Sequence, residues 1–168
     1  MTVVPAKKWR AEWLAALAFT FATVGLHFFL LIHAGAFCGD EVNVINLARG
    51  HSLSFMARDS FPVLLPLLIH AWTTLGMADT DLHLRLLGTL AGLGVTAALW
   101  LAVWPTARRP PLLSLVLFAL SANVIFREDY LRAYGLGTAL IVCTLAATCY
   151  LLENPVWWRT AILAVTAV

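Results

Sequence analysis

Charged side chains are scarce in this sequence of 168 residues. Lysine, arginine, aspartate and glutamate together make up 12% of the chain, whereas 61% of the residues are hydrophobic. Soluble globular domains carry about 25% charged residues, so the composition excludes an ordinary soluble domain. It also excludes intrinsic disorder, because disordered chains are poor in apolar residues. The composition therefore indicates a polytopic membrane protein.

The low net charge and the small number of cysteines exclude further classes of function. The net charge is only +2 and no basic run occurs, which argues against a nucleic-acid partner, since binding to phosphates needs clustered lysine and arginine. The three cysteines, Cys38, Cys143 and Cys149, form no CxxC pair and no cluster with histidine. This pattern supports neither a disulfide framework nor a zinc site. We therefore predict no cofactor, and the sequence leaves a requirement for a divalent metal ion open.

Long apolar runs dominate what is present. A membrane-spanning helix needs about 20 apolar residues. The predicted spans are residues 11–34, 84–103, 111–126, 134–152 and 156–168. We expect an all-α polytopic helical bundle. Because the last run ends while still apolar, we also expect the chain to be the N-terminal part of a longer protein.

A further apolar run at residues 61–76 is short for a span and contains two prolines. If it is left out of the spans, the basic clusters fall on one side of the membrane: residues 7–10, 108–109 and 159. The positive-inside tendency therefore favours a helix that lies along the outer membrane surface. The resulting topology has a cytoplasmic N-terminus, a long outer loop at residues 35–83 and a short one at residues 127–133.

The two outer loops hold most of the negative charge. Seven of the nine acidic residues lie on them: Asp40, Glu41, Asp59, Asp79, Asp81, Glu128 and Asp129. One interpretation makes Asp40 and Glu41 a catalytic carboxylate pair, one of them a general base. The alternative makes Asp40 the cap of a helix that runs to Ala48, with Glu41 favouring the helix dipole.

The second loop combines arginine, carboxylate and tyrosine within residues 127–134. Because the planar guanidinium of arginine suits phosphate, we interpret Arg127 and Arg132 as an anion site. If this segment is helical, Glu128 and Arg132 pair at i, i+4. The alternative is an interfacial cap, in which aromatic residues accompany a solvated salt bridge.

Two patterns inside the spans are interpreted as structural. His27 and His33 are six residues apart and do not share a helical face, so we predict a structural histidine near the interface at each position. Gly88 and Gly92 in the second span have the GxxxG spacing that permits close helix packing.

The order of the motifs is more specific than any one of them. After a basic start and one span come Asp40-Glu41, Asn46-Leu47-Ala48-Arg49-Gly50, the proline-containing stretch 61–72, Leu84-Arg85-Leu86-Leu87-Gly88 and Arg132-Ala133-Tyr134-Gly135-Leu136. This order resembles the N-terminal third of the GT-C membrane glycosyltransferases. It is most similar to the bacterial branch near the protein O-mannosyltransferases and the lipid A aminoarabinose transferase, and the likeness covers nearly the whole chain.

The resemblance implies transfer of a sugar from a polyprenyl-phosphate donor to a lipid, glycan or protein acceptor on the outer side of a bacterial inner membrane. Asp40 would match the catalytic acidic residue of the family and Glu41 its neighbour. The basic residue that often precedes the proline of the surface helix is absent here, and Arg58 is its substitute. The residues expected to bind the donor phosphate are Arg132, Arg127, Arg58 and Tyr134.

Two other functional classes stay open. A transporter would carry charged residues or broken helices at mid-membrane depth, whereas no full charge lies at the span centres here. The other class is a non-catalytic membrane scaffold or a truncated relic of the enzyme. The resemblance implies that this part alone is inactive, since the later spans would complete the donor cavity.

Overall fold

The computed structural model describes residues 6–50, 52–57, 62–107, 109–153 and 155–166. Within these ranges every regular element is a helix, which confirms the all-α prediction. The helices are α1 (Ala6–Ile32), α2 (Gly39–Gly50), α3 (Leu53–Met56), α4 (Leu64–Thr74), α5 (Asp81–Ala107), α6 (Leu112–Ala119), α7 (Ala122–Glu128), α8 (Ala133–Glu153) and α9 (Trp157–Thr166).

Among the described residues, three helices are long and apolar enough to cross a membrane. The apolar segments are Arg10–Ile32 in α1, Asp81–Val103 in α5 and Ala133–Glu153 in α8. They match three of the predicted spans, 11–34, 84–103 and 134–152. Large apolar side chains such as Phe21 and Leu145 project outwards from these helices. Such surfaces are compatible with an integral membrane protein, in which lipid covers the outer faces.

The predicted span 111–126 is not one continuous helix. It is divided into α6, of eight residues, and α7, of seven. The backbone at Ser121 leaves the helical region, with φ −107° and ψ 74°, and the Ser121 side chain makes no capping hydrogen bond to α7. The two helices still follow α1, since Leu115 packs with Ala16 in its first half and Asp129, just after α7, contacts His27 near its C-terminal end.

The long predicted loop 35–83 is folded. The helix predicted within residues 61–76 is present as α4, the helix that follows Asp40 is present as α2, and α3 lies between them. Pro66 falls in the first turn of α4, where a missing N–H costs no intrahelical bond. At 11 residues, α4 is too short to span a membrane.

Two apolar clusters hold the helices together. The first joins α2, α4, the start of α5 and the α7–α8 loop, and its buried members are Val44, Ile45, Ala48, Leu65, Ile69, Ala78, Leu84 and Leu131. The second lies at the opposite end of the bundle, where Ala16, Leu99 and Leu115 meet. The first cluster therefore places α2 against the loop between α7 and α8. We call this end of the bundle the Asp40 end.

Candidate functional site

Asp40 and Arg132 form an ion pair at the Asp40 end. Arg132 Nη2 donates a hydrogen bond to Asp40 Oδ2, from the α7–α8 loop to the first turn of α2. The Arg132 side chain is 25% exposed and that of Asp40 is 55% exposed. Both charges can therefore be reached from outside the protein.

Tyr134 completes this group. Arg132 Nη1 donates to the Tyr134 hydroxyl at 3.2 Å, and the guanidinium carbon lies 5.7 Å from the centre of the tyrosine ring. The hydrogen bond to Tyr134 is the main cause that raises the pKa of Arg132 above its ordinary value, and the charge of Asp40 acts in the same direction. Arg132 is therefore a permanent cation.

Glu41 holds the two loops in place. Its buried carboxylate accepts the Cys38 N–H at Oε2 and the Leu131 N–H at Oε1, each at 2.9 Å. The first bond has the geometry of a capping box, in which a glutamate in the first turn reaches back to the N-terminal N–H. The carboxylate that caps α2 is thus Glu41, whereas the capping interpretation of the sequence named Asp40.

Of the other predicted phosphate ligands, the described one, Arg127, is not brought to this point. Arg127, near the end of α7, is exposed and makes no hydrogen bond or ion pair within the described part of the chain. Arg58 lies outside the described residues. The expected i, i+4 pair between Glu128 and Arg132 is absent from the described ion pairs, because α7 ends at Glu128 and α8 starts at Ala133.

A buried histidine–aspartate pair lies behind the loop, and the sequence interpretation missed it. Nδ1 of His27 is 2.6 Å from Asp129 Oδ1, and the His27 side chain is completely buried. The sequence predicts a structural histidine at position 27 and indicates no partner for it. The available signal was an ionisable residue within a predicted span, which by itself calls for a partner.

Gly88 and Gly92 permit this close approach. A Cβ at Gly92 would lie 2.7 Å from Cε1 of His27 and would also meet Asp129 Oδ1, while a Cβ at Gly88 would meet the Asp129 carbonyl. The GxxxG spacing thus marks close packing, as predicted. However, the two glycines of α5 contact Asp129 of the α7–α8 loop as well as His27 of α1, so the close packing is not between two helices only.

Glu128 adds a third titratable group. Its side chain is buried, and Oε1 has no hydrogen-bond partner among the described residues. Burial raises the pKa of Glu128 from 4.5 to about 7; the charge of His27 opposes the rise and that of Asp129 adds to it. The described residues include no group of three or more histidine, cysteine or carboxylate side chains arranged to hold a metal ion.

A separate cavity lies away from these residues. It has a volume of about 420 Å³ and is lined by α5, α8 and α9, with Leu101, Ala147, Tyr150 and Ile162 on its walls. Its lining is mostly apolar, and none of the predicted site residues contributes to it. The charged groups converge instead at the Asp40 end.

Comparison with known proteins identifies no relative: no family model, no curated protein and no solved structure matches the chain.

Proposed function

We propose that the chain forms the donor-binding part of a GT-C type membrane glycosyltransferase. Such an enzyme transfers a sugar from a polyprenyl phosphate to an acceptor on the outer side of the bacterial inner membrane. The observation that supports the proposal is the ion pair between Asp40 and Arg132, which are 92 positions apart. The sequence interpretation makes Asp40 the base that accepts the proton of the acceptor and Arg132 the ligand of the donor phosphate. In the structure the two side chains are in contact and both are partly exposed.

Arg132 is the proposed ligand of the donor phosphate. The leaving group of the reaction is an anionic lipid phosphate, and a guanidinium can bind two of its oxygens at once. The Tyr134 hydroxyl, already bonded to Arg132, is close enough to donate a further hydrogen bond. A partly exposed arginine can exchange its carboxylate partner for a phosphate without leaving a buried charge unpaired.

Asp40 is the proposed general base. When the phosphate occupies Arg132, the carboxylate of Asp40 loses its partner and is free to accept a proton. The acceptor hydroxyl attacks the anomeric carbon, its proton passes to Asp40, and the bond between that carbon and the phosphate oxygen breaks with its electron pair on the phosphate. A single displacement of this kind inverts the anomeric centre, as it does in inverting glycosidases.

The surrounding surface suits a lipid donor. Phe29 and Ile32, in the last turn of α1, expose large apolar side chains, and α1 ends shortly before Asp40. A polyprenyl chain has to remain in an apolar environment while its phosphate reaches the polar surface. The end of a spanning helix beside an exposed arginine provides both environments.

The test is binding of polyprenyl phosphate to the purified chain in detergent, with the matching polyprenol as the uncharged probe. Arg132→Lys keeps the charge and loses the planar fork. Hydrogen bonds to charged groups contribute about 1.5–3 kcal/mol each, so the variant should bind polyprenyl phosphate about 10–100-fold more weakly. Arg10→Lys, at the other end of α1, is the control and should bind like the parent.

Polyprenol should bind the parent and Arg132→Lys equally, because it carries no phosphate. Equal affinity of the parent for polyprenyl phosphate and polyprenol would overturn the proposal. That result would favour the non-catalytic scaffold, with Arg132 as an interfacial cap.

A further inference from the structure

The α7–α8 loop is held at two points before Arg132. Asp129 contacts His27 of α1, and the Leu131 N–H contacts Glu41 of α2. Arg132 follows directly, so the direction of its side chain depends on both contacts. The Glu41 contact belongs to the proposed site, whereas the His27 contact comes from a different helix and is completely buried.

The His27 contact is directional. When Asp129 is ionised, its carboxylate only accepts hydrogen bonds, and the contact with Oδ1 then uses the tautomer of His27 that carries its hydrogen on Nδ1. On the other side, Gly88 and Gly92 of α5 leave room for Asp129 and for the imidazole. The side chain of Asp129 is therefore held in one position, between α1 and α5.

We infer that His27 is a positioning residue for Arg132: through its hydrogen bond to Asp129 it holds the α7–α8 loop so that the guanidinium faces Asp40. The effect of His27 on catalysis rests on the proposed function. The effect of His27 on the position of Arg132 does not rest on it and can be measured without any substrate. His27 touches no reacting group and acts only through Asp129.

Cys38 provides the reporter. Its Sγ lies 3.9 Å from Arg132 Nη2, so a positive charge beside the thiol depends on the position of Arg132. Alkylation by iodoacetate, an anion, is favoured by that charge, whereas alkylation by neutral iodoacetamide is not. The ratio of the two rates should be about fivefold higher with the guanidinium in place, as expected for unit charges about 4 Å apart in water.

The experiment uses the whole chain with Cys143→Ser and Cys149→Ser, so that Cys38 is the only thiol. Arg132→Gln gives the ratio without the cation. His27→Phe keeps an aromatic ring but loses the N–H donor, and its ratio should fall about fivefold to the Arg132→Gln value. His27→Asn supplies an amide N–H near the position of Nδ1 and should restore a ratio close to the parent.

A second pair of variants changes the α5 side of the contact between His27 and Asp129. Gly92→Ala places a methyl group against Asp129 and His27, whereas a Cβ at Gly94 meets only the Ala139 methyl, at 3.9 Å. The ratio should fall in Gly92→Ala and stay parental in Gly94→Ala. This pair also decides the matter if His27→Phe does not fold.

A parental ratio in folded His27→Phe, or in Gly92→Ala, would overturn the inference. Thermal melting in detergent establishes that each variant is folded. If the parent shows the expected ratio but fails to bind polyprenyl phosphate, the proposed function fails while the positioning role of His27 stands.

Discussion

The carboxylate of Glu41 accepts the backbone N–H of Leu131 at 2.9 Å, across 90 positions of sequence. Its other oxygen caps α2 through the Cys38 N–H. One buried side chain therefore fixes both the start of the helix that carries Asp40 and the loop that carries Arg132. The neighbouring Asp40 is left free to point outwards to Arg132.

Glu41→Gln should destabilise the fold. Glutamine has one acceptor oxygen, so one of the two N–H groups would face an NH₂ group and stay unsatisfied, at a cost of about 1–3 kcal/mol. For a chain of this size, about 2–4 °C of melting temperature corresponds to each kcal/mol. Glu153→Gln, at the exposed end of α8, is the control and should melt like the parent. Equal melting of both variants in detergent would show that the Glu41 bonds contribute nothing to stability.

Asp40→Asn should fold normally, because an exposed ion pair contributes only about 0–1 kcal/mol. It should bind polyprenyl phosphate as tightly as the parent or more tightly, since Arg132 no longer has a competing carboxylate. Sugar transfer should fall about 10²–10⁴-fold, the usual contribution of a general base.

Transfer is measured with a labelled polyprenyl-phosphate sugar and the protein expressed from its complete reading frame. Asp81→Asn, in the first turn of α5, is the matched control; parental transfer in Asp40→Asn would refute the catalytic role.

Glu128 should make stability depend on pH. Its pKa is about 7 in the folded protein and 4.5 ordinarily, so the folded state holds the proton more tightly. The stabilisation is complete below pH 4.5 and is lost as the pH rises through 7. At about 1.36 kcal/mol per pKa unit, the loss is about 3 kcal/mol.

The measurement for Glu128 is the melting temperature in detergent between pH 5 and pH 8. The parent should melt at lower temperature as the pH rises. Glu128→Gln removes the titrating group, and the slope over this range should become smaller. An unchanged slope in Glu128→Gln would assign the pH dependence to other groups.

The topology predicted from the basic clusters places Ser54 outside and Ala107 inside. Single cysteines at these positions, in a background without native cysteines, test it with a membrane-impermeant maleimide. Ser54→Cys should react in intact cells, and Ala107→Cys only after permeabilisation. Reaction of both from one side would contradict the topology and remove the outer location on which the proposed function depends.

The sequence by itself determined the helical class, three helices long and apolar enough to cross a membrane, and the two helices of the long loop. These follow from properties of continuous segments, namely the length of an apolar run and the place of proline near a helix start. It also indicated Asp40, Arg132 and Tyr134 as charged and aromatic groups next to span ends. Hydropathy did not reveal the division of the third predicted span, because that break is set by the backbone angles at Ser121.

Only the tertiary structure decided which of these groups meet. Asp40 and Glu41 are adjacent, yet successive side chains on a helix point about 100° apart, so the packing of α2 alone determines that Glu41 is buried and Asp40 is exposed. The pairing of His27 with Asp129 depends in the same way on Gly88 and Gly92 facing the α7–α8 loop. Contacts between residues so far apart in sequence arise from the packing of whole helices, and a local sequence pattern does not predict that packing.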